Sequence, residues 1–187
     1  MTNVRGEKTS QILKGALLSV ALLGFAVSSV LAINIVRADK SEPYNDYALR
    51  LVNQTRSEHN LPLLKHDELL SRAASMKAQD MIDNDYFDHV SKDGEMVWSQ
   101  ISATGYDYSK AGENLAIDYS TLDGAYRGWL NSPSHLENIL SENYSDFGFA
   151  QIEGDFEGNK TTVYVQLFGS KNNIYERILS KSGGEND

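Results

Sequence analysis

Three stretches of the sequence carry the side chains best suited to chemistry: Phe87-Asp88-His89, Gly112-Glu113-Asn114-Leu115-Ala116, and Trp129 to Leu140, which reads WLNSPSHLENIL. Imidazole and carboxylate groups together make a reasonable first shell for zinc, with positions left open for water or ligand. The same groups can instead exchange protons as acid and base. Other chemistries find less support. The chain has no cysteine, which rules out a thiol nucleophile and a zinc-thiolate centre. No Ser-His-Asp order is evident, and Ser132 and Ser134, next to His135 in sequence, read as capping groups. The acidic stretch Asp80 to Asp88 lacks the glycine of a calcium loop and reads as a solvated loop. His59 and His66 sit among polar neighbours and read as exposed, whereas Trp98 and Trp129 read as core anchors.

The elements that must position these residues follow from periodicity. Ala48, Leu51, Val52 and Thr55 fall at helical spacing, and that helix ends near Asn60 and Pro62. Asp67 suits the cap of a second helix, in which Leu70, Ala73, Ala74, Ala78 and Met81 form one apolar stripe. Val97, Trp98 and Ile101 predict a short helix closed by Gly105. A further helix starts near Thr121 and carries Leu122, Ala125, Trp129 and Leu130. Ser132 then stands where an N-cap belongs, with Pro133 at the first helical position. Asn114 reads as a residue whose amide ties a turn at Gly112–Asn114 to nearby backbone.

The last third changes period. Residues 144–153 and 161–168 read as two strands, with Gly154, Gly158 and Asn159 as turn residues between them. In the second strand Val163, Val165 and Leu167 line one face and Tyr164 and Phe168 the other, the pattern of a central strand covered on both sides. Helices followed by an antiparallel hairpin imply an α+β fold, a three-layer α-β-α sandwich around a mostly antiparallel sheet.

At the other end, Gly15 to Val36 is a run of 22 residues without a charge. As a helix it would be about 33 Å long, enough for the hydrocarbon core of a bilayer. Arg5, Lys8 and Lys14 precede it, which places the N-terminus on the cytoplasmic side and everything after the run outside. Residues 1–38 thus read as a signal peptide or a signal-anchor. Cleavage after Ala32 or Ala38 and retention as an anchor both fit. Residues 39–45 read as a linker, 46–170 as one domain and 171–187 as a tail. Beyond residue 38 the chain has 13 Lys+Arg against 25 Asp+Glu, a net charge of −12. That balance argues against nucleic acid and against anionic lipid surfaces.

With these residues in view, the sequence resembles the CAP superfamily of cysteine-rich secretory, antigen 5 and pathogenesis-related proteins, and most of all its cysteine-free bacterial SCP-like branch. The resemblance runs over about residues 46–169. It rests on GENLA at 112–116, followed by W-x2-S-x2-H-x2-N-I-L from Trp129, with His89 upstream. Asn53, Arg56, Leu70, Ala74, Met81 and Gly148 also match. It implies a cleft holding His89, Glu113 and His135, with Ser132 and Asn114 beside them. Ser132 occupies the place of the family's second glutamate, so three of the usual four groups are present. These three are the candidate ligands of a zinc ion. His135, in the first turn of its helix, meets a dipole that disfavours imidazolium, while a nearby Glu113 would favour it. The implied function is an extracellular or surface-anchored monomeric module that binds a small lipid-like or peptide ligand, or a divalent metal. The alternative is a metal-assisted or acid–base hydrolase acting on cell-wall or peptide material, and a third reading is a surface protein with a vestigial cleft.

Overall fold

The computed structural model describes residues 43–172. The apolar run 15–36, the candidate cleavage sites and the tail beyond Asn172 lie outside the described residues. Among the described residues no helix is long and apolar enough to cross a membrane.

Helix α1 (Tyr44–Glu58) buries Tyr47, Ala48, Leu51, Val52 and Thr55, the expected face, but starts inside the stretch expected to be a linker. Its Asn53 clamps the following loop, donating to the Leu64 carbonyl at 2.9 Å and accepting from the Leu64 N–H at 2.8 Å. The loop leads into a two-residue strand, β1 (Lys65–His66), which the sequence pattern does not reveal. Helix α2 (Glu68–Asp83) begins where expected, with the Asp67 carboxylate accepting from the N–H groups of Leu69 and Leu70. It continues into the acidic stretch read as a loop, because Met81 and Ile82 still face the core. Asp85 then reaches across to accept the Glu157 N–H at 2.7 Å.

After the short α3 (Val97–Ala103) comes β2 (Tyr108–Ile117), so Gly112–Ala116 is a strand rather than a turn. Helices α4 (Leu122–Leu130) and α5 (Pro133–Leu140) follow. Thr121 caps α4 through the Gly124 N–H, whereas Ser132 takes the N-cap position of α5 without a side-chain capping bond. The chain ends in the hairpin β3 (Asp146–Phe156) and β4 (Asn159–Lys171). Its turn is tighter than expected: Glu157 and Gly158 have φ of 49° and 81°, and Gly154 lies within the strand. Two consecutive positive φ values suit the right-handed twist of a two-residue hairpin.

The strand order is β1-β3-β4-β2, antiparallel except for the parallel β1–β3 pair. Alternate residues enter two separate cores, as strand period two requires. Phe147, Phe149, Tyr164, Phe168 and Ala116 pack with α1, α4 and α5. Ala150, Val163, Val165, Leu167 and Leu115 pack with α2 and α3. At Gly148 the backbone of α2 comes close to the sheet: a Cβ there would stand 2.3 Å from the Leu70 carbonyl carbon. Trp129 is a core anchor, but Trp98 is only half-buried and lies against Tyr108.

One buried cation joins α1 to α5. Arg56 is fully buried and donates to the carbonyls of Pro62, Ile139 and Ser141 at 2.8, 2.9 and 2.8 Å. It thereby satisfies the C-terminal end of α5, where carbonyls lack intrahelical partners. Arg56→Met should therefore destabilise the domain by about 3 kcal/mol or more, since three carbonyls would lose a charged donor. Urea unfolding followed by circular dichroism checks this, and a loss well under about 1 kcal/mol would contradict the assigned role.

Candidate functional site

Strand β2 carries Glu113 along the sheet edge, and the side chains that hold this edge come from α4, α5 and the segment after α5. Antiparallel strands send alternate carbonyls to the same edge. The Ala111, Glu113 and Leu115 carbonyls each meet a side-chain donor: Tyr144 Oη at 3.3 Å, Asn138 Nδ2 at 3.0 Å and Trp129 Nε1 at 2.8 Å. Asn114 points to the other face of the strand and is fully buried. Its amide donates to the His135 carbonyl and to Gln166 Oε1, both at 3.1 Å, and its oxygen accepts from Asn138 at 2.9 Å. The expectation that Asn114 ties backbone in place holds, but it does so from a strand, and it aims away from Glu113.

On the opposite face the Glu113 carboxylate is buried, with 4% of its side chain exposed. Its Oε2 lies 2.5 Å from His89 Nδ1. Oε1 is buried without a protein partner. His89 comes from the loop between α2 and α3, and its side chain is half-exposed. Two short-range features stiffen that loop just beyond the histidine: the Val90–Met96 bridge and a turn in which Ser91 accepts the Gly94 N–H. Beneath the pair, the buried Lys77 of α2 donates to the His89 carbonyl at 3.1 Å and to the Tyr86 hydroxyl at 3.2 Å. Tyr86 in turn donates to Asp80.

His135 sits in the first turn of α5, half-buried. The bond to Glu113 raises the pKa of His89 above its ordinary value, against the opposing effect of burial. The pKa of His135 is lowered, by burial first and then by repulsion from His89. Burial, with the charge of His89 behind it, thus sets the direction that the sequence leaves open.

His135 and Ser132 also line a cavity of about 320 Å³. Its walls are otherwise Phe87, Leu115, Ala116, Ile117, Tyr119, Ala125, Gly128 and Trp129. Tyr119 lies flat against α4, where a Cβ on Gly128 would come within 2.4 Å of its hydroxyl. The structure therefore pairs His89 with Glu113, sets His135 within reach of their charge, and gives His135 and Ser132 an apolar neighbourhood. Among the described residues no three His, Asp or Glu side chains are grouped as a metal-ligand set. Ser132 Oγ lies 3.4 Å from Ser134 Oγ.

Lys77, Tyr86 and Tyr119 are neighbours of the site that the sequence pattern does not single out, whereas Asn138 enters only as a motif position and Tyr144 only as a strand residue. Lys77 leaves a signal: it falls on the apolar stripe of α2 between Ala74 and Met81, where a lone charge needs a partner.

Comparison with known proteins bears on the whole arrangement. The model described as "CAP: Cysteine-rich secretory protein family" matches residues 49–168. The YkwD protein of Bacillus subtilis is 36% identical over 128 residues, which cover 68% of this chain and 48% of that protein. The membrane protein YlbC of the same organism is 35% identical over 100 residues, 54% of this chain and 29% of its own length. A crystal structure of an SCP-domain extracellular protein from Bacillus anthracis matches at 33% identity and a TM-score of 0.59, covering 68% of this chain and 40% of that one. An outer surface protein of Borrelia burgdorferi shares the fold at 24% identity and a TM-score of 0.60, over 68% of this chain and 92% of its own. The chain thus spans about half or less of the length of the two Bacillus subtilis relatives it matches.

The opposite shifts of the two histidines have opposite linkage. The stability from His89, whose folded pKa is raised, is fully present below the ordinary value of 6.5 and is lost as pH rises through the folded pKa. That from His135, whose folded pKa is lowered, is present above 6.5 and is lost as pH falls through the folded pKa. In a nitrogen-15 histidine titration, His89 should have its midpoint above 6.5 and His135 below it. Glu113→Gln should bring the His89 midpoint down. A wild-type His89 midpoint at or below 6.5 would contradict the pairing.

Proposed function

Because the chain belongs to the CAP, or cysteine-rich secretory protein, family, we propose that it is an exported binding module that takes a lipid-like or peptide ligand into the cavity beside His135. The observation that carries this reading is the composition of that cavity, a mostly apolar and aromatic wall with Ser132, His135 and the Tyr119 hydroxyl as its polar groups. Small-ligand sites are typically apolar concavities of a few hundred Å³ in which few polar groups set orientation. An imidazole kept neutral offers one donor and one acceptor, which suits an amide or hydroxyl better than a second cation. Phe87 and Tyr119 remain partly exposed at the rim and can close over an apolar group.

Export rests on the uncharged run Gly15–Val36 behind Arg5, Lys8 and Lys14. It is supported by relatives described as an extracellular protein and a membrane protein. The domain is then presented outside, released or tethered.

A divalent cation such as zinc is a second reading, favoured by one observation. Glu113 engages Nδ1 of His89 and leaves Nε2 to face another partner, the way a carboxylate orients a metal-bound histidine. In that case Glu113 orients and His89 and His135 ligate. Zinc titration by calorimetry separates the readings, because equal heats from wild type and His135→Ala would remove the metal.

Ser132→Phe provides the test of the cavity, since Ser132 makes no capping bond that the substitution would break. Full-length protein should carry small apolar molecules through purification, detectable by mass spectrometry, and titrating them back should change the emission of Trp129 in the wall. Ser132→Phe should lose both while unfolding at the wild-type temperature. Undiminished binding in Ser132→Phe would place the ligand elsewhere.

A further inference from the structure

Helix α2 presents Leu70, Ala73, Ala74, Ala78 and Met81 to the core, all with 0% exposure, and Lys77 belongs to the same face at 1%. Its five neighbours on that face are all apolar. A lysine ammonium in that place is unfavourable unless its protons find acceptors. Of its three donors, one goes to the Tyr86 hydroxyl and another to the His89 carbonyl. The ammonium also lies 4.9 Å from the Tyr86 ring centre, which adds a cation–π contact. Asp80 on the same helix accepts from Tyr86, so the phenol is held from behind. The acidic groups facing the ammonium are Glu113 from β2, Asp80 from α2 and Asp88 from the loop.

This cluster has a mechanical consequence for the pair described above. The residue that meets Glu113 belongs to a loop, whereas Glu113 belongs to the sheet. A half-exposed imidazole on a loop keeps a 2.5 Å bond to a buried carboxylate only if its backbone is held at the right height. The Lys77 bond to the His89 carbonyl supplies that hold, and it acts on the same residue that makes the bond. We propose that Lys77 is the positioning residue of the His89–Glu113 pair, tying the His89 backbone to α2 so that the imidazole stays in register with a carboxylate carried by β2. The tie is independent of what fills the cavity beside His135, because neither Lys77 nor His89 lines that cavity. Its failure would therefore leave the ligand reading untouched, and failure of the ligand reading would leave the tie in place.

The experiment uses full-length chain in detergent micelles with nitrogen-15 histidine, at one fixed pH low enough for His89 to carry its Nδ1 proton. Wild type should show a downfield Nδ1–H signal from His89, protected from solvent exchange. Lys77→Met should expose that proton about tenfold or more to exchange, the size expected for losing one hydrogen bond to a charged donor. The Trp129 indole proton, bonded to the Leu115 carbonyl, should keep its wild-type shift and protection in the same sample. Lys77→Arg, which retains cationic donors, should restore the His89 signal. A Lys77→Met protein with wild-type protection at His89 would overturn the proposal. If Lys77→Met does not fold, wild type labelled with nitrogen-15 lysine and carbon-13 histidine carbonyls decides the matter. The proposal requires a slowly exchanging Lys77 ammonium correlated with the His89 carbonyl, and an ammonium exchanging as fast as exposed lysines would overturn it.

Discussion

The edge of strand β2 is the constraint on which the rest of the site depends. Its outward carbonyls at Ala111, Glu113 and Leu115 would otherwise stand unpaired, open to water or to a foreign strand. Side chains from Tyr144, Asn138 and Trp129 accept the task one carbonyl at a time. The spacing of the donors matches the two-residue repeat of the strand, so α4 and α5 have one position in which all three bonds form. That position in turn sets His135, whose own carbonyl is held by Asn114. One arrangement therefore closes the sheet edge, docks two helices and places one of the two site histidines.

The other histidine arrives from the opposite layer. Its imidazole bonds a carboxylate buried between the sheet and α2, and its backbone is held by Lys77. Burying Glu113, Lys77 and the Tyr86–Asp80 bond in one cluster costs desolvation, which packing alone would not require. Such cost is tolerated where orientation matters more than stability. The outcome is two histidines of contrasting character, one drawn toward the charged form by Glu113 and one kept from it by burial.

How much of this the sequence discloses differs by element. Strand β4 is legible because both of its faces are apolar, and α2 because its cap and stripe agree. Strand β2 is not, since its central residues Glu113 and Asn114 are polar and become buried only through partners from the loop, α2 and α5. Strand β1 is two residues long and exists because it lies beside β3. The resemblance to the CAP family points to His89, Glu113 and His135 as neighbours. It does not reveal that Glu113 uses one oxygen on His89 while Asn114 serves the opposite face. Nor does spacing alone show Lys77, although a lysine within an apolar stripe is a readable anomaly.

Native-state hydrogen exchange on Asn138→Ala, compared with wild type, tests the dependence of the site on the closed edge most directly. Asn138 serves the Glu113 carbonyl and Asn114 together, so its loss should raise exchange at the β2 amides from Gly112 to Leu115 by about tenfold or more. Protection along the β3–β4 hairpin should be retained. Equal loosening of the hairpin and β2, or no change in β2, would contradict the account.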